Sequence, residues 1–175
     1  MADPHNKKRY GETWDSLVIN NYLIELEPLK GIIILSGGWA WHFMSPPGHI
    51  ELKHAHDHKD VDIFVSPQNV TVVIEKLFEQ GFKKVPTRFD RLKNNSDFRC
   101  YEKEMNGKKL IIDFFVGKDI QIRKIDGWQI VDPKQLLTFY KNIHSSDNCF
   151  AVKAATDLIK KGIDPIGRKE LVHTY

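Results

Sequence analysis

The sequence predicts an α/β or α+β fold, with a mixed sheet flanked by helices and a short C-terminal helical part. The first half alternates strand-like and helix-like apolar patterns. Asn106-Gly107 separates two strand-like runs, which is a strong signal for a β-hairpin. The chain has 175 residues, enough for one domain with a substantial core.

The first half is predicted from apolar spacing and from residues that start or stop elements. Gly31 and Gly81 end helices, and Ser45-Pro46-Pro47-Gly48 ends another. The predicted elements are a helix over 15–30, a strand over 32–35 and a tight turn over 36–38. A short helix that begins with residues 39–44 follows, and after it come a strand over 60–65 and a helix over 66–80.

The second half combines the hairpin with a helical tail. Its predicted elements are hairpin strands over 98–105 and 108–116, a strand over 128–131, and helices over 133–143, 149–161 and from 164 onwards. We therefore divide the chain into a flexible leader (1–13), a core (14–131) and C-terminal helices packed on the core (132–175).

Apolar segments, cysteines and net charge limit the classes of protein to which the chain can belong. No apolar stretch reaches the roughly 20 residues of a membrane span, and no secretory signal is evident, so a cytoplasmic protein without a membrane partner is expected. Cys100 and Cys149 form no zinc pattern and are interpreted as free thiols. A net charge of +3 permits a nucleic-acid partner but does not indicate one.

Asp60 and Asp62 are the first candidate site residues. They stand two apart on a predicted strand, so their side chains project to the same side while Val61 and Ile63 face the core. Two neighbouring carboxylates repel each other unless a cation lies between them, and hard oxygen ligands suit Mg²⁺ or Mn²⁺. The alternative is a solvent-facing strand that carries two aspartates.

Asp113 is the third candidate carboxylate. It lies in a run that is apolar on both faces, Leu110-Ile111-Ile112-Asp113-Phe114-Phe115, which is typical of a central buried strand. A lone charge there is costly unless it is paired or bound to a cation. Three carboxylates on adjacent strands can hold two divalent ions. The alternative is a buried Asp satisfied by a Lys or by backbone amides.

Ser36-Gly37-Gly38 follows an apolar strand and precedes a helix. The glycines allow close approach of a ligand, and the free amides of a helix N-terminus favour phosphate. The alternative is an ordinary strand-to-helix turn, because neither a Walker loop nor a dinucleotide-binding fingerprint is present.

Taken in order, these motifs resemble the DNA polymerase β-like nucleotidyltransferase superfamily. Gly37-Gly38-Trp39-Ala40, His58-Lys59-Asp60-Val61-Asp62-Ile63 and Ile130-Val131-Asp132-Pro133 are most similar to lincosamide and aminoglycoside nucleotidyltransferases, and to nucleotidyltransferase toxins of abortive-infection systems. The resemblance covers roughly residues 31–140. It differs at His56, where the family has Arg, and in the long loop 45–57.

The resemblance implies a nucleotidyltransferase fold over the core and a set of site residues. Asp60, Asp62 and Asp113 would be catalytic and metal-binding, and Ser36, Gly37, Gly38 and His58 would bind the nucleotide. The implied cofactor is Mg²⁺ (or Mn²⁺), with a nucleoside triphosphate such as ATP as donor substrate.

Two further groups of polar residues are candidates for a functional role. The loop that carries His49, His54, His56 and His58 can bind a transition metal, but the preferred interpretation places only His58 beside the carboxylates. Glu102 and Glu104 share one face of a hairpin strand and are candidates for a general base toward the acceptor or for binding a cationic substrate, with an exposed strand edge as the preferred alternative.

The predicted function is transfer of a nucleoside monophosphate to an acceptor hydroxyl or phosphate, with release of pyrophosphate. The acceptor is expected to be a small molecule of antibiotic type. The alternatives are a toxin-like transferase acting on RNA or protein and a non-catalytic binding module. Acceptor identity, the preferred nucleotide and oligomeric state do not follow from the sequence.

Overall fold

A computed structural model of the chain describes residues 16–44, 60–91, 97–142, and residues 152, 153, 155, 156, 159 and 160. The α-helices are α1 (Ser16–Leu26), α2 (Gly37–Met44), α3 (Val70–Glu79) and α4 (Pro133–Asn142). The strands are β1 (Ile34–Leu35), β2 (Asp60–Val65), β3 (Lys83–Val85), β4 (Phe98–Met105), β5 (Lys108–Val116), β6 (Ile122–Ile125) and β7 (Trp128–Val131).

The strands form one mixed sheet in the order β3-β4-β5-β2-β1-β7-β6. The pairs β2–β5 and β1–β7 are parallel, and the other neighbours are antiparallel. The predicted α/β class with a mixed sheet is therefore confirmed. Asn106 and Gly107 both have positive φ (52° and 74°), as a two-residue hairpin turn requires.

The first predicted helix and the first predicted strand are shorter in the structure. The helix predicted over 15–30 ends at Leu26 and continues as a 3₁₀ turn, Glu27–Leu29, because Pro28 has no amide to donate. The amides of Ile32 and Ile33 both donate to the carbonyl of Leu29, at 3.1 and 3.2 Å. These residues therefore complete the turn, and β1 keeps only two residues of the predicted strand over 32–35.

Two strands were not predicted from the sequence, and both lie at the edges of the sheet. Strand β3 is Lys-Lys-Val and β6 is Ile-Arg-Lys-Ile, so neither has a regular alternation of apolar residues. An edge strand hydrogen-bonds on one side only, and lysines there discourage pairing with another chain. Strand β3 is nevertheless in register with β4, since Val85 lies opposite Cys100.

The core lies against one face of the central strands. Val61, Ile63 and Val65 of β2 are fully buried, and alternate residues of β5 are buried in the same way. Trp41 is also fully buried, and its indole Nε1 donates a hydrogen bond to the hydroxyl of Tyr140 in α4 at 3.2 Å. This bond joins the helix after β1 to the start of the helical tail.

The helical tail is described only in part. Leu136 of α4 is buried against the core, and Ala155 in the helical residues between 152 and 160 is fully buried. The leader and the last predicted helix lie outside the described residues, so the division at residues 13 and 131 stays a prediction. Within the described ranges, no helix is long and apolar enough to cross a membrane.

Candidate functional site

The predicted turn and two of the predicted carboxylates meet in one row across the sheet. Asp62 of β2 is directly opposite Asp113 of β5 in the parallel pairing. On the other side of β2, the amide of Ser36 donates a hydrogen bond to the carbonyl oxygen of Asp62 at 2.8 Å. This bond extends the β1–β2 pairing by one residue. Ser36, Asp62 and Asp113 therefore lie side by side, although they are far apart in sequence.

Alternation along β2 orients the carboxylates as predicted. Asp60 and Asp62 are half-buried, whereas Val61 and Ile63 between and after them are fully buried in the core. Residues two apart on a strand share a face, so both aspartates lie on the face away from this core. Asp113 is half-buried between buried Ile112 and Phe114, which places it on the same face.

Glycine is required at position 37 because the Asp62 side chain lies against it. Its φ is +55°, and a Cβ atom built at this position would lie 2.0 Å from Oδ2 of Asp62. No carbon atom fits at that distance, so the carboxylate of Asp62 occupies the space that a side chain at position 37 would fill. The absence of a side chain at position 37 therefore allows the Asp62 carboxylate to lie against the start of α2.

Helix α2 begins earlier than predicted. Both glycines belong to its first turn, whereas the sequence predicted a turn over 36–38 and a helix starting at Trp39. The carbonyl of Ser36 accepts the amide of Ala40 at 3.1 Å, which is the first bond of the helix. The amides of Gly37 and Gly38 stand ahead of that bond, where helix geometry supplies no carbonyl partner. A helix N-terminus is thus placed beside Asp62.

Cys100 joins the same row and was missed by the sequence interpretation. It lies opposite Asp113 in the antiparallel β4–β5 pairing. Burial raises the pKa of the Cys100 thiol to about 12, and the charge of Asp113 and a hydrogen bond with it act in the same direction. The thiol is therefore protonated at neutral pH. The two-residue turn at Asn106-Gly107 already implied this pairing, because it sets the register of the whole hairpin.

The carboxylate pair suits a hard divalent cation in chemistry and in placement. In the part of the chain that the structure describes, no group of three or more His, Cys, Asp or Glu side chains is arranged to hold a metal ion. Mg²⁺ does not need such a cage, since it usually keeps several waters and binds through one or two carboxylates and substrate phosphates. Asp62 and Asp113, side by side on parallel strands, match that requirement.

The remaining candidates are placed differently. His58 and the rest of the loop with His49, His54 and His56 lie outside the described residues. Glu102 is on the face that carries Asp113, where its carboxylate is 3.1 Å from the ammonium of Lys109. Glu104 is exposed at the hairpin. These two glutamates therefore lie along the hairpin, towards its turn.

Comparisons with known proteins support the fold. No model of a protein family matches the chain, and no curated protein matches it significantly. The chain is similar to the lincomycin-bound crystal structure of the lincosamide antibiotic adenylyltransferase LnuA, with a TM-score of 0.53 and 16% sequence identity. That alignment covers 83% of this chain and 98% of LnuA.

A second similar structure is ANT(2″)-Ia in complex with adenylyl-2″-tobramycin. Here the TM-score is 0.48 and the identity 10%, over 90% of this chain and 94% of that one. The likeness to LnuA spans most of both chains. The chain therefore has a nucleotidyltransferase-type fold.

Proposed function

We propose that the protein is a metal-dependent nucleotidyltransferase that moves a nucleoside monophosphate from a nucleoside triphosphate to an acceptor hydroxyl or phosphate. The observation that carries this proposal is the row of Ser36, Asp62 and Asp113, which places two carboxylates beside a helix N-terminus. Phosphate and divalent cations are the ligands that such a combination suits. The nucleotidyltransferase-type fold supports the same function.

In this proposal, the start of α2 binds the phosphates that leave. The amides of Gly37 and Gly38 and the hydroxyl of Ser36 would donate hydrogen bonds to the β- and γ-phosphates, where the positive end of the helix favours negative charge. Because Asp62 packs directly against Gly37, a triphosphate bound at the start of α2 would lie next to the carboxylates.

The carboxylates would hold the metal cofactor and assist the attack by the acceptor. Asp60, Asp62 and Asp113 would hold Mg²⁺ or Mn²⁺, which supplies neutralisation of the triphosphate charge when bound. The acceptor oxygen attacks the α-phosphorus, the bond from that phosphorus to the bridging oxygen breaks, and pyrophosphate leaves. The Asp113 carboxylate would take the proton of an acceptor hydroxyl. Most of the rate acceleration would come from positioning and charge neutralisation.

The proposed acceptor is a small molecule of antibiotic type. This proposal is supported by the motifs that resemble those of lincosamide and aminoglycoside nucleotidyltransferases and by the similar fold of LnuA, a lincosamide adenylyltransferase. A panel of such antibiotics, assayed with ATP and the other three nucleoside triphosphates, would identify both substrates. His58 is proposed as a further phosphate or carboxylate contact, and His58→Ala in the same assay tests this role.

The central test is calorimetric titration of each nucleoside triphosphate with Mg²⁺ into the wild-type protein and into Asp62→Asn. Metal-dependent binding to the wild type that is lost in the variant supports the proposal. Asn keeps the size of the side chain but lacks the charge, so the fold should be retained, as thermal unfolding would report. If no triphosphate binds to the folded wild type, the non-catalytic alternative is favoured instead.

A further inference from the structure

Cys100 and Asp113 face each other across two antiparallel strands, and Cys100 has no role in the function proposed above. Side chains that lie directly opposite in such a pair have Cβ atoms about 4.5–5.5 Å apart and share one face of the sheet. The Cys100 thiol is half-buried, and a hydrogen bond with the Asp113 carboxylate is among the causes that raise its pKa. Since a carboxylate only accepts, the thiol is the donor.

Asp113 has a neighbour of a different kind on each side. Asp62 on β2 is a second carboxylate, which repels it, and Cys100 on β4 is a neutral donor, which attracts it. Asp60 and Glu102 also act electrostatically on the thiol, so the surroundings are strongly acidic. A neutral donor can orient Asp113 there without adding another negative charge. Such hydrogen bonds to a ligating carboxylate fix its direction and influence metal affinity.

We propose that Cys100 is a positioning residue that holds the Asp113 carboxylate in the orientation needed to bind a divalent cation beside Asp62. This inference rests on the proposed function, because the orientation of Asp113 matters only if a cation binds there. Loss of such an outer contact typically weakens metal binding by about 10–100-fold. A thiol is a weak donor, so we expect the lower end of that range, about tenfold.

Three variants separate the hydrogen bond from packing. Cys100→Ala removes the donor, and Cys100→Ser restores one with a hydroxyl. Val85→Ala is the matched control. Val85 also lies opposite Cys100, but on β3, which pairs with β4 on the side away from β5 and Asp113. Thermal unfolding without metal establishes that each variant is folded. A purely structural role would lower the unfolding temperature in both alanine variants and leave the metal affinity of the folded protein unchanged.

The experiment is a titration of each protein with Mn²⁺, in which free Mn²⁺ is followed by electron paramagnetic resonance. We expect the dissociation constant to rise about tenfold in Cys100→Ala, to return close to the wild-type value in Cys100→Ser, and to be unchanged in Val85→Ala. Equal affinities in the wild type and Cys100→Ala would overturn the inference, as would equal losses in the Ala and Ser variants.

The same titration distinguishes this inference from the proposed function. If the wild type binds Mn²⁺ and Cys100→Ala binds it equally well, only the positioning role is wrong. If the folded wild type binds no Mn²⁺ with or without a nucleoside triphosphate, the metal-dependent function is wrong and the positioning role falls with it.

Discussion

Gly37→Ala is the substitution that tests the geometry of the site most directly. A Cβ atom would lie 2.0 Å from Oδ2 and 3.0 Å from Cγ of Asp62. Ordinary van der Waals contact begins near 3.4 Å, so the carboxylate must move by roughly 1.4 Å. A misplacement of about 1 Å in a catalytic group can cost on the order of 100-fold in rate. The positive φ adds strain of about 1–2 kcal/mol.

Gly81→Ala is the matched control for that strain. Gly81 ends α3 with a φ of +84°, but nothing lies within 4 Å of a Cβ atom built there. Both variants therefore introduce a side chain at positive φ, and only Gly37→Ala displaces Asp62. We expect similar losses of stability in urea unfolding. Metal-dependent nucleotide binding, measured by calorimetry, should be retained in Gly81→Ala and weakened by at least about tenfold in Gly37→Ala.

Equally tight binding of the nucleotide with Mg²⁺ to Gly37→Ala and Gly81→Ala would refute the requirement for the Asp62 carboxylate in its present position. That result would mean either that Asp62 tolerates displacement or that it has no part in binding. A crystal structure of the variant would separate these two cases, because it would show whether the carboxylate had moved away from position 37.

Three further predictions concern the scaffold. Ile112→Ala, at a fully buried position on β5, should lower the free energy of unfolding by about 2–5 kcal/mol in a urea titration. Gly117→Ala would place a Cβ atom 2.8 Å from the Phe64 ring, so calorimetry should show a lower unfolding temperature. Burial raises the pKa of Asp132, but the Arg123 guanidinium and backbone amides outweigh it, so its pKa is lowered on folding. The stabilisation lost in Asp132→Asn should therefore be full near neutral pH and should shrink as the pH falls through that lowered pKa, which urea titrations over an acid pH series would detect.

The apolar pattern of the sequence predicts where a helix lies but does not predict the residues at which it begins and ends. The pattern placed the helix near residues 15–30 correctly, but Pro28 and the bonds to the Leu29 carbonyl changed its end. Helix α2 starts at Gly37, two residues before the predicted start, because the Ser36 carbonyl is already bonded to Ala40. Such ends depend on a few hydrogen bonds, which apolar spacing does not encode.

The edge strands show a second limit. Strands β3 and β6 were missed because an edge strand needs little apolar surface, so its residues need not alternate. The hairpin, in contrast, was predicted over both strands, because Asn106-Gly107 specifies the turn and the register together.

The sequence alone determined the separate parts of the candidate site. Alternation placed Asp60 and Asp62 on one face of a strand, and the position of a charged residue within an apolar run singled out Asp113. Which strands become neighbours is decided only by the tertiary structure, because β2 and β5 are separated in sequence and their parallel pairing depends on burying both in one core. That pairing sets Asp113 beside Asp62, and the pairing with β4 then sets Cys100 beside Asp113.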